Sequence, residues 1–359
     1  MLSQYEPLET LAPALFGYVQ KWRHLPTGEC VAVKRMELRF AARQRSKSSE
    51  RAVEEDLLTE IKTNLRVQLL GGHPNVLPLR DCIMEDEAVL LVLKFCQQGE
   101  LLDVLNTKRA AGQPINVLHY FVQMLRGAAF LHANDIAHRD LSLENVLVDE
   151  RDCCYITDFG LATQCQGKIA VKPVGKLRYM APEVSAALTY QEGQLGEYDP
   201  KMADVWALGV MLYAMVAARY PFREPLRKDA RFRLLEDFGV DYLLEKDEVD
   251  VHGRKVVLDL LRKMLVVDPA KRSTLAELES HLALPIPQDF VPRITVTSSQ
   301  DTRQRARSLG RFTVKEVNPK KLLSEAEKNK QAQVIGNNEL KSQCAPGILL
   351  HKYFATALA

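Results

Sequence analysis

The chain has 359 residues, 47% hydrophobic and 26% charged, enough apolar material for one large core or two modest ones, which excludes disorder throughout. A formal net charge of +2 gives no global argument for a nucleic-acid partner, although basic clusters can act locally. Seven cysteines, an odd number with no CxxC pair and only Cys153 and Cys154 adjacent, fit neither a disulfide framework nor a zinc site and point to a reducing compartment. The opening MLSQYEPLETLAPALFGY lacks the basic start and apolar centre of a secretory signal, and no stretch approaches the ~20 apolar residues of a membrane span. A soluble, intracellular protein is expected, cytoplasmic with the nucleus not excluded.

From about Tyr5 to Val33, apolar and polar residues alternate around turn signals such as Pro26-Thr27-Gly28, which predicts consecutive antiparallel strands. The charged stretch ARQRSKSSERAVEED follows. Leu57, Leu58, Ile61 and Leu65 then recur at helical spacing until Gly71 and Gly72 stop the helix ahead of Pro74. VLPL and AVLLVL predict further strands. Beyond Gly99 the pattern turns helical in LLDVLNTKRA, LHYFVQMLRGAAFLHA, DVWALGVMLYAMVAA and VVLDLLRKMLVV. The expected fold class is α+β and bilobal, a small antiparallel-sheet lobe with one helix followed by a larger helical lobe. From about Pro285, Pro, Ser, Gln and Lys interrupt every periodic segment, and RQRAR and NPKK add charge runs. A low-order tail with one short helix near LLSEAEKNKQ is expected there, and no internal repeat is visible.

Phosphoryl transfer asks a protein mainly to hold phosphates and metal in place and to aim a carboxylate at the incoming hydroxyl. The chain carries motifs suited to such chemistry. His138-Arg139-Asp140-Leu141 is followed by Asn145, then by Asp158-Phe159-Gly160 after the apolar CYIT. Ala181-Pro182-Glu183, Asp204-Val205-Trp206-Ala207-Leu208-Gly209, and Asp268-Pro269 with Arg272 come next. A DFG tripeptide alone is uninformative; the ordered set is not. In that order these motifs resemble the eukaryotic protein kinase family, from roughly Tyr5 to Leu284.

The resemblance implies a kinase domain over 5–285, with a small lobe at about 5–93, a hinge at 94–99 and a large lobe at 100–285, and a tail over 286–359. It implies ATP and Mg²⁺, with Asp140 as the base for a Ser or Thr hydroxyl and Asn145 and Asp158 as metal ligands. Lys34, in the frame Val31-Ala32-Val33-Lys34, resembles the strand lysine that holds phosphates and pairs with a helix glutamate. Glu60, followed by Ile61, is the chosen partner, with Glu54 and Glu55 as alternatives because the stretch from Glu60 to His73 is long and Asn64 stands where an apolar residue is expected. The resemblance further implies adenine between Val19, Ala32 and Leu147 below Leu11, with Leu93 as gatekeeper and backbone groups of Lys94 and Cys96 at the ring. Glu183 with Arg272, and Asp204, resemble the family's structural acids and base. The sequence HRDLSLEN lacks the arginine of tyrosine kinases, so a Ser/Thr kinase is expected.

Three departures stand out. The expected G-x-G-x-x-G reads Leu11-Ala12-Pro13-Ala14-Leu15-Phe16-Gly17, keeping only Gly17, which motivates a pseudokinase scaffold as the alternative reading. The usual lysine two residues after the catalytic aspartate is Ser142, whereas Gly175-Lys176-Leu177-Arg178-Tyr179 puts a lysine where threonine is usual. Lys176 is therefore expected to restore the missing charge, against the alternative of a solvated lysine beside Lys168, Lys172 and Arg178. Between Asp158 and Glu183 only Thr163 and Tyr179 carry hydroxyls, so activation without phosphorylation of this segment is expected. Glu100 and Glu144 occupy positions that imply preference for arginine three residues before the target hydroxyl, with Ala214 replacing a third acid. In the tail, Arg311-Phe312-Thr313-Val314 resembles a docking peptide, and Arg305-Ala306-Arg307-Ser308 a basophilic phosphosite.

Overall fold

The alternating pattern of the first ninety residues folds as an antiparallel sheet. In the computed structural model, which describes residues 2–42, 46, 54–187, 196–249 and 255–282, the strands are β1 (Tyr5–Ala14), β2 (Gly17–His24), β3 (Cys30–Glu37), β4 (Leu79–Met84) and β5 (Ala88–Lys94), in spatial order β1-β2-β3-β5-β4. Contacts divide the chain into Met1–Pro287 and Gln288–Ala359. The second unit, with Arg305–Ser308, Arg311–Val314 and the helix expected near LLSEAEKNKQ, lies outside the described residues.

Strand parity sorts the small lobe into two faces. Tyr5, Trp22, Val31, Val33, Ile83, Ala88, Leu90 and Val92 form a buried cluster on one face. Opposite pairs share a face, so the register Val19↔Lys34, Lys34↔Leu91 and Ala32↔Leu93 sets these five residues together on the other. The expected strand VLPL is corrected. β4 starts at Leu79, and Val76 makes only an isolated bridge to Ile156, because Pro74 and Pro78 bring no N–H to a ladder.

A short helix α1 (Leu38–Ala42), not anticipated, follows β3, and α2 (Leu57–Leu69) crosses ahead of β4. Asp56 caps α2, its carboxylate accepting from the amides of Leu58 at 3.3 Å and Thr59 at 3.0 Å. Gly71 and Gly72, both at positive φ, end it as expected. Its buried face is Leu57, Glu60, Ile61, Asn64 and Val67, so one helical stripe carries both packing and a carboxylate.

The large lobe begins with β6 (Gly99–Glu100), α3 (Leu101–Ala110) and α4 (Val117–Ala133). Short strands β7 (Ile136–Ala137), β8 (Val146–Val148), β9 (Cys154–Ile156), β10 (Thr163–Gln164) and β11 (Ile169–Val171) follow, then α5 (Pro182–Ala187) and β12 (Gly196–Tyr198). The lobe closes with α6 (Pro200–Ala217), α7 (Ala230–Lys246), α8 (Lys255–Met264) and α9 (Leu275–Leu282). α6 is apolar on all sides and runs through the core, burying Trp206, Leu208, Met211, Leu212 and Tyr213. Each such side chain contributes about 1.5–3 kcal/mol by leaving water. α7 was not anticipated: Gly239, at φ 81°, kinks it and breaks the apolar period between Leu235 and Val240.

Candidate active site

The inner face of the small sheet presents Lys34. Its ammonium lies 2.6 Å from Glu60 Oε1 on α2 and 3.2 Å from Asp158 Oδ1. Burial opposes its charge, but Asp158 and Glu60 outweigh burial and hold the ammonium above its ordinary range. In turn Lys34, against the opposing effect of burial, keeps the Asp158 carboxyl below the usual range. Of the three candidate glutamates, Glu60 is the one Lys34 contacts. Glu54 pairs instead with Lys172. Glu55 packs against Gly160, its carboxyl pushed up to about 7 by burial and by Asp158. Asn64 satisfies its buried amide on the Glu60 carbonyl at 2.9 Å, which explains a polar residue at that apolar-looking position.

Across the cleft the β7–β8 loop holds Asp140. Asp204 on α6 fastens the backbone of that loop, accepting from the amides of His138 at 2.7 Å and Arg139 at 2.8 Å and from the His132 ring at 2.9 Å. These bonds hold Arg139 at φ 67°, a conformation that costs an L-residue about 1–3 kcal/mol. The His138 ring bonds the Thr157 carbonyl at 2.9 Å and packs on Phe159, with ring centres 5.3 Å apart. Asn145 Nδ2 donates to the Asp140 carbonyl at 2.8 Å and to its Oδ2 at 2.7 Å. Farther down, buried Arg272 meets both oxygens of Glu183 at 2.8 and 3.1 Å. Arg272 also donates to the carbonyls of Met202 and Val266.

A hard cation fits this site. Asn145 commits its amide hydrogens to Asp140 and keeps its carbonyl oxygen, while Asp158 meets Lys34 through Oδ1. Two protein oxygens suit Mg²⁺, which completes its shell with water and phosphate. Among the described residues no group of three or more His, Cys, Asp or Glu side chains could hold a metal by itself.

The apolar side of the cleft follows from parity. Ala32 and Leu147 are half-buried between fully buried neighbours, and Val19 is half-buried opposite Lys34. Leu93 is buried; Lys94 turns its ammonium to Asp149, 3.1 Å away, and burial pushes the Cys96 thiol up to about 12. The first hairpin has a different form. It pairs through Ala14↔Gly17, Pro13 lies on the edge strand β1, and exposed Leu11 sits at a register shift. A Cβ on Gly17 would lie 2.0 Å from the Arg35 carbonyl oxygen, so the pairing of β2 with β3 itself requires that glycine.

The segment from Leu161 to Tyr179 closes over the loop. Arg139 donates to the carbonyls of Leu161 and Lys172, while Lys172 pairs with Glu54. Gly175, at φ 105°, passes so close to the Arg139 carbonyl oxygen that a Cβ would lie 2.7 Å from it. Next to it, Lys176 Nζ reaches Asp140 Oδ2 at 2.7 Å and Ser142 Oγ at 3.1 Å. Tyr179 is buried, its hydroxyl donating to Glu144 at 2.8 Å. Glu100 is exposed, its carboxyl raised by partial burial and by Asp103 and Glu144. Asp103 and the pairing of Glu54 with Lys172 escaped sequence reasoning, which names Glu54 and Glu55 only as alternative partners of Lys34. Only the acidic run Glu54-Glu55-Asp56 signalled any of them.

The sequence matches the protein kinase domain over residues 5–283. Relatives include the carbon catabolite-derepressing protein kinase of Secale cereale, 29% identical over 317 residues covering 88% of this chain and 58% of that protein. Serine/threonine-protein kinase SRK2G of Arabidopsis thaliana is 30% identical over 284 residues, covering 78% of this chain and 73% of that protein. The chain thus spans less than two thirds of the length of the first of these relatives. The bilobal fold, the ion pair from β3 to α2, the Asp140–Asn145 loop and the match over nearly the whole described chain lead to one conclusion: the chain belongs to the protein kinase family.

Proposed function

We propose that this protein is an active Ser/Thr protein kinase that transfers the γ-phosphoryl group of Mg-ATP to protein hydroxyls. The observation that carries this reading is Lys34 bridging Glu60 and Asp158, which joins both lobes at the cleft. Lys34 holds the α and β phosphates. Asp140 accepts the proton of the substrate hydroxyl as its oxygen bonds to the γ phosphorus and the bond from that phosphorus to the bridging oxygen breaks, the electron pair leaving with ADP. Asn145 and Asp158 would hold magnesium, which would supply neutralisation of the phosphate charge there. Adenine sits between Val19, Ala32 and Leu147 below Leu11, with the backbone of Lys94 and Cys96 at its edge.

The acidic group of Glu100, Glu144 and Asp103 supports a basophilic preference, because the raised Glu100 carboxyl gains most from a guanidinium. No helix among the described residues is long and apolar enough to cross a membrane, and a cytoplasmic kinase acting on protein substrates is the reading favoured. The hairpin without its first two glycines supports a scaffold reading instead. Purified protein with Mg-[γ-³²P]ATP and a Ser/Thr peptide array separates the two. Incorporation that prefers arginine three residues before the hydroxyl and vanishes in Asp158→Ala is expected; no incorporation would leave the scaffold, and incorporation retained in Asp158→Ala would overturn the metal assignment.

A further inference from the structure

The catalytic loop carries an oddity that the kinase reading alone leaves unexplained. Ser142, two residues beyond Asp140, is fully buried, and the group over it is the ammonium of Lys176 from another segment. A lysine ammonium has three donors. Asp140 Oδ2 and Ser142 Oγ take two of them, at 2.7 and 3.1 Å. With its side chain 39% exposed, Lys176 is no sealed strut, and a third donor remains for a ligand in the cleft. Its charge reaches well beyond Asp140: it contributes to holding the Asp158 carboxyl low and acts on Glu100 across the groove.

The backbone is shaped to deliver this side chain. Gly175 adopts φ 105° against the Arg139 carbonyl oxygen, an approach that a Cβ would block. The amide of Lys176 then donates to Asp140 Oδ1 at 3.3 Å, so both its backbone and its side chain address one carboxylate. A solvated lysine in a basic loop needs none of this. The neighbouring basic residues behave differently, Lys172 pairing outward with Glu54 and Arg178 lying over the Tyr220 ring.

We propose that Lys176 is a catalytic residue, the cation that holds the transferring γ-phosphoryl group beside Asp140, supplied from the activation segment because position 142 carries only a hydroxyl. This rests on the kinase reading above. In the transfer step the substrate oxygen bonds to the γ phosphorus, its proton passes to Asp140, and the bridging oxygen departs on ADP with the electron pair. Lys176 stays protonated throughout, its ammonium balancing the charge that spreads over the phosphoryl oxygens and keeping Asp140 oriented. Ser142 is buried beneath the Lys176 side chain. A second lysine at 142 therefore meets both steric crowding and a like charge unless residue 176 is shortened.

The test is a charge relocation in the full chain, comparing wild type, Lys176→Met, Ser142→Lys and the double variant Ser142→Lys/Lys176→Thr. Turnover and affinity for ADP and for the non-hydrolysable analogue AMP-PNP are measured with Mg²⁺. Lys176→Met is expected to lower kcat ~10²-fold, as loss of an oriented donor does. The same change should weaken AMP-PNP binding ~10-fold while moving ADP affinity less than ~2-fold, because only the triphosphate meets the charge-assisted bond. Ser142→Lys alone should also lose activity, and the double variant should regain at least ~10-fold in kcat over Lys176→Met together with the preference for AMP-PNP. A kcat for Lys176→Met within ~3-fold of wild type would overturn the proposal. So would equal loss of ADP and AMP-PNP affinity without recovery in the double variant, the behaviour of a structural strut. If wild type binds both nucleotides yet transfers no phosphate, the kinase reading falls, while the ratio of the two affinities across the variants still decides the role of Lys176.

Discussion

The β1–β2 hairpin and the catalytic loop face each other across the same cleft and have departed from the family pattern in opposite ways. β1 is exposed along almost its whole length, with only Tyr5 buried, and Ala12, Pro13 and Ala14 stand there where two glycines would be expected. The catalytic loop is locked, with His138 and Ser142 fully buried and the Asp204 carboxylate beneath its backbone. Where it departs at Ser142, it meets a lysine from elsewhere. The exposed strand has few buried contacts to lose, whereas the buried Ser142 hydroxyl needs a partner and has one in Lys176.

The largest difference between the two regions should appear when the bracing of each is removed in turn. Arg272→Leu leaves the Glu183 carboxylate and the Met202 and Val266 carbonyls without their partner, and is expected to cost about 3–5 kcal/mol. Pro13→Ala on the exposed edge strand should stay within ~0.5 kcal/mol. Denaturant titration of both variants checks this, and comparable losses would erase the distinction.

A smaller effect is expected from restoring the hairpin. Ala12→Gly/Pro13→Ser/Ala14→Gly frees backbone amides to approach phosphate and should lower the KM for ATP by ~5-fold with kcat within ~2-fold, as added ground-state binding does. Steady-state kinetics against ATP reads both parameters, and an unchanged KM would show that the paired hairpin already serves.

Glu55 gives a pH-dependent version. Its folded-state pKa of about 7 lies above the ordinary 4.5, so between these values the folded protein holds a proton that the unfolded chain has released. Glu55 therefore costs stability increasingly as pH rises from 4.5 to 7, and the full cost stands above 7. Glu55→Gln should raise Tm at pH 8 and by much less at pH 5. An equal gain at both values would trace the effect to packing rather than charge.

The smallest effect belongs to the Glu54–Lys172 pair at the edge of the activation segment. Glu54 and Lys172 are 52% and 62% exposed, and such pairs contribute under about 1 kcal/mol. Lys172→Ala should change activity less than ~2-fold. Because Arg139 is already engaged by the Leu161 and Lys172 carbonyls and Tyr179 is buried, phosphatase treatment should leave activity intact. Loss of activity with removal of phosphate from Thr163 would contradict this.

Much of this was legible because it is local. Asp140 and Asn145 lie in one loop whose spacing the sequence displays, and α6 announces itself as a continuous apolar run. The partner of Lys34 stayed open among three glutamates because the ion pair closes across 26 residues and depends on how α2 docks. α7 was hidden by the kink at Gly239, and β4 was displaced by two prolines whose effect on the ladder shows only when its partner strand is known. Lys176 could be singled out because the replacement at Ser142 left a charge to account for. Gly175, which delivers that lysine, gave no such sign until its φ was known.

On this reading the fastened loop performs the chemistry and the hairpin governs only nucleotide affinity. Single-turnover phosphotransfer with saturating Mg-ATP separates the two contributions directly in wild type, Asp140→Ala and the glycine-restored hairpin. Asp140→Ala is expected to slow transfer by ~10³-fold while the hairpin variant transfers at the wild-type rate. A hairpin variant that transfers ~10²-fold faster than wild type, or an Asp140→Ala protein whose rate is undiminished, would contradict that division of labour.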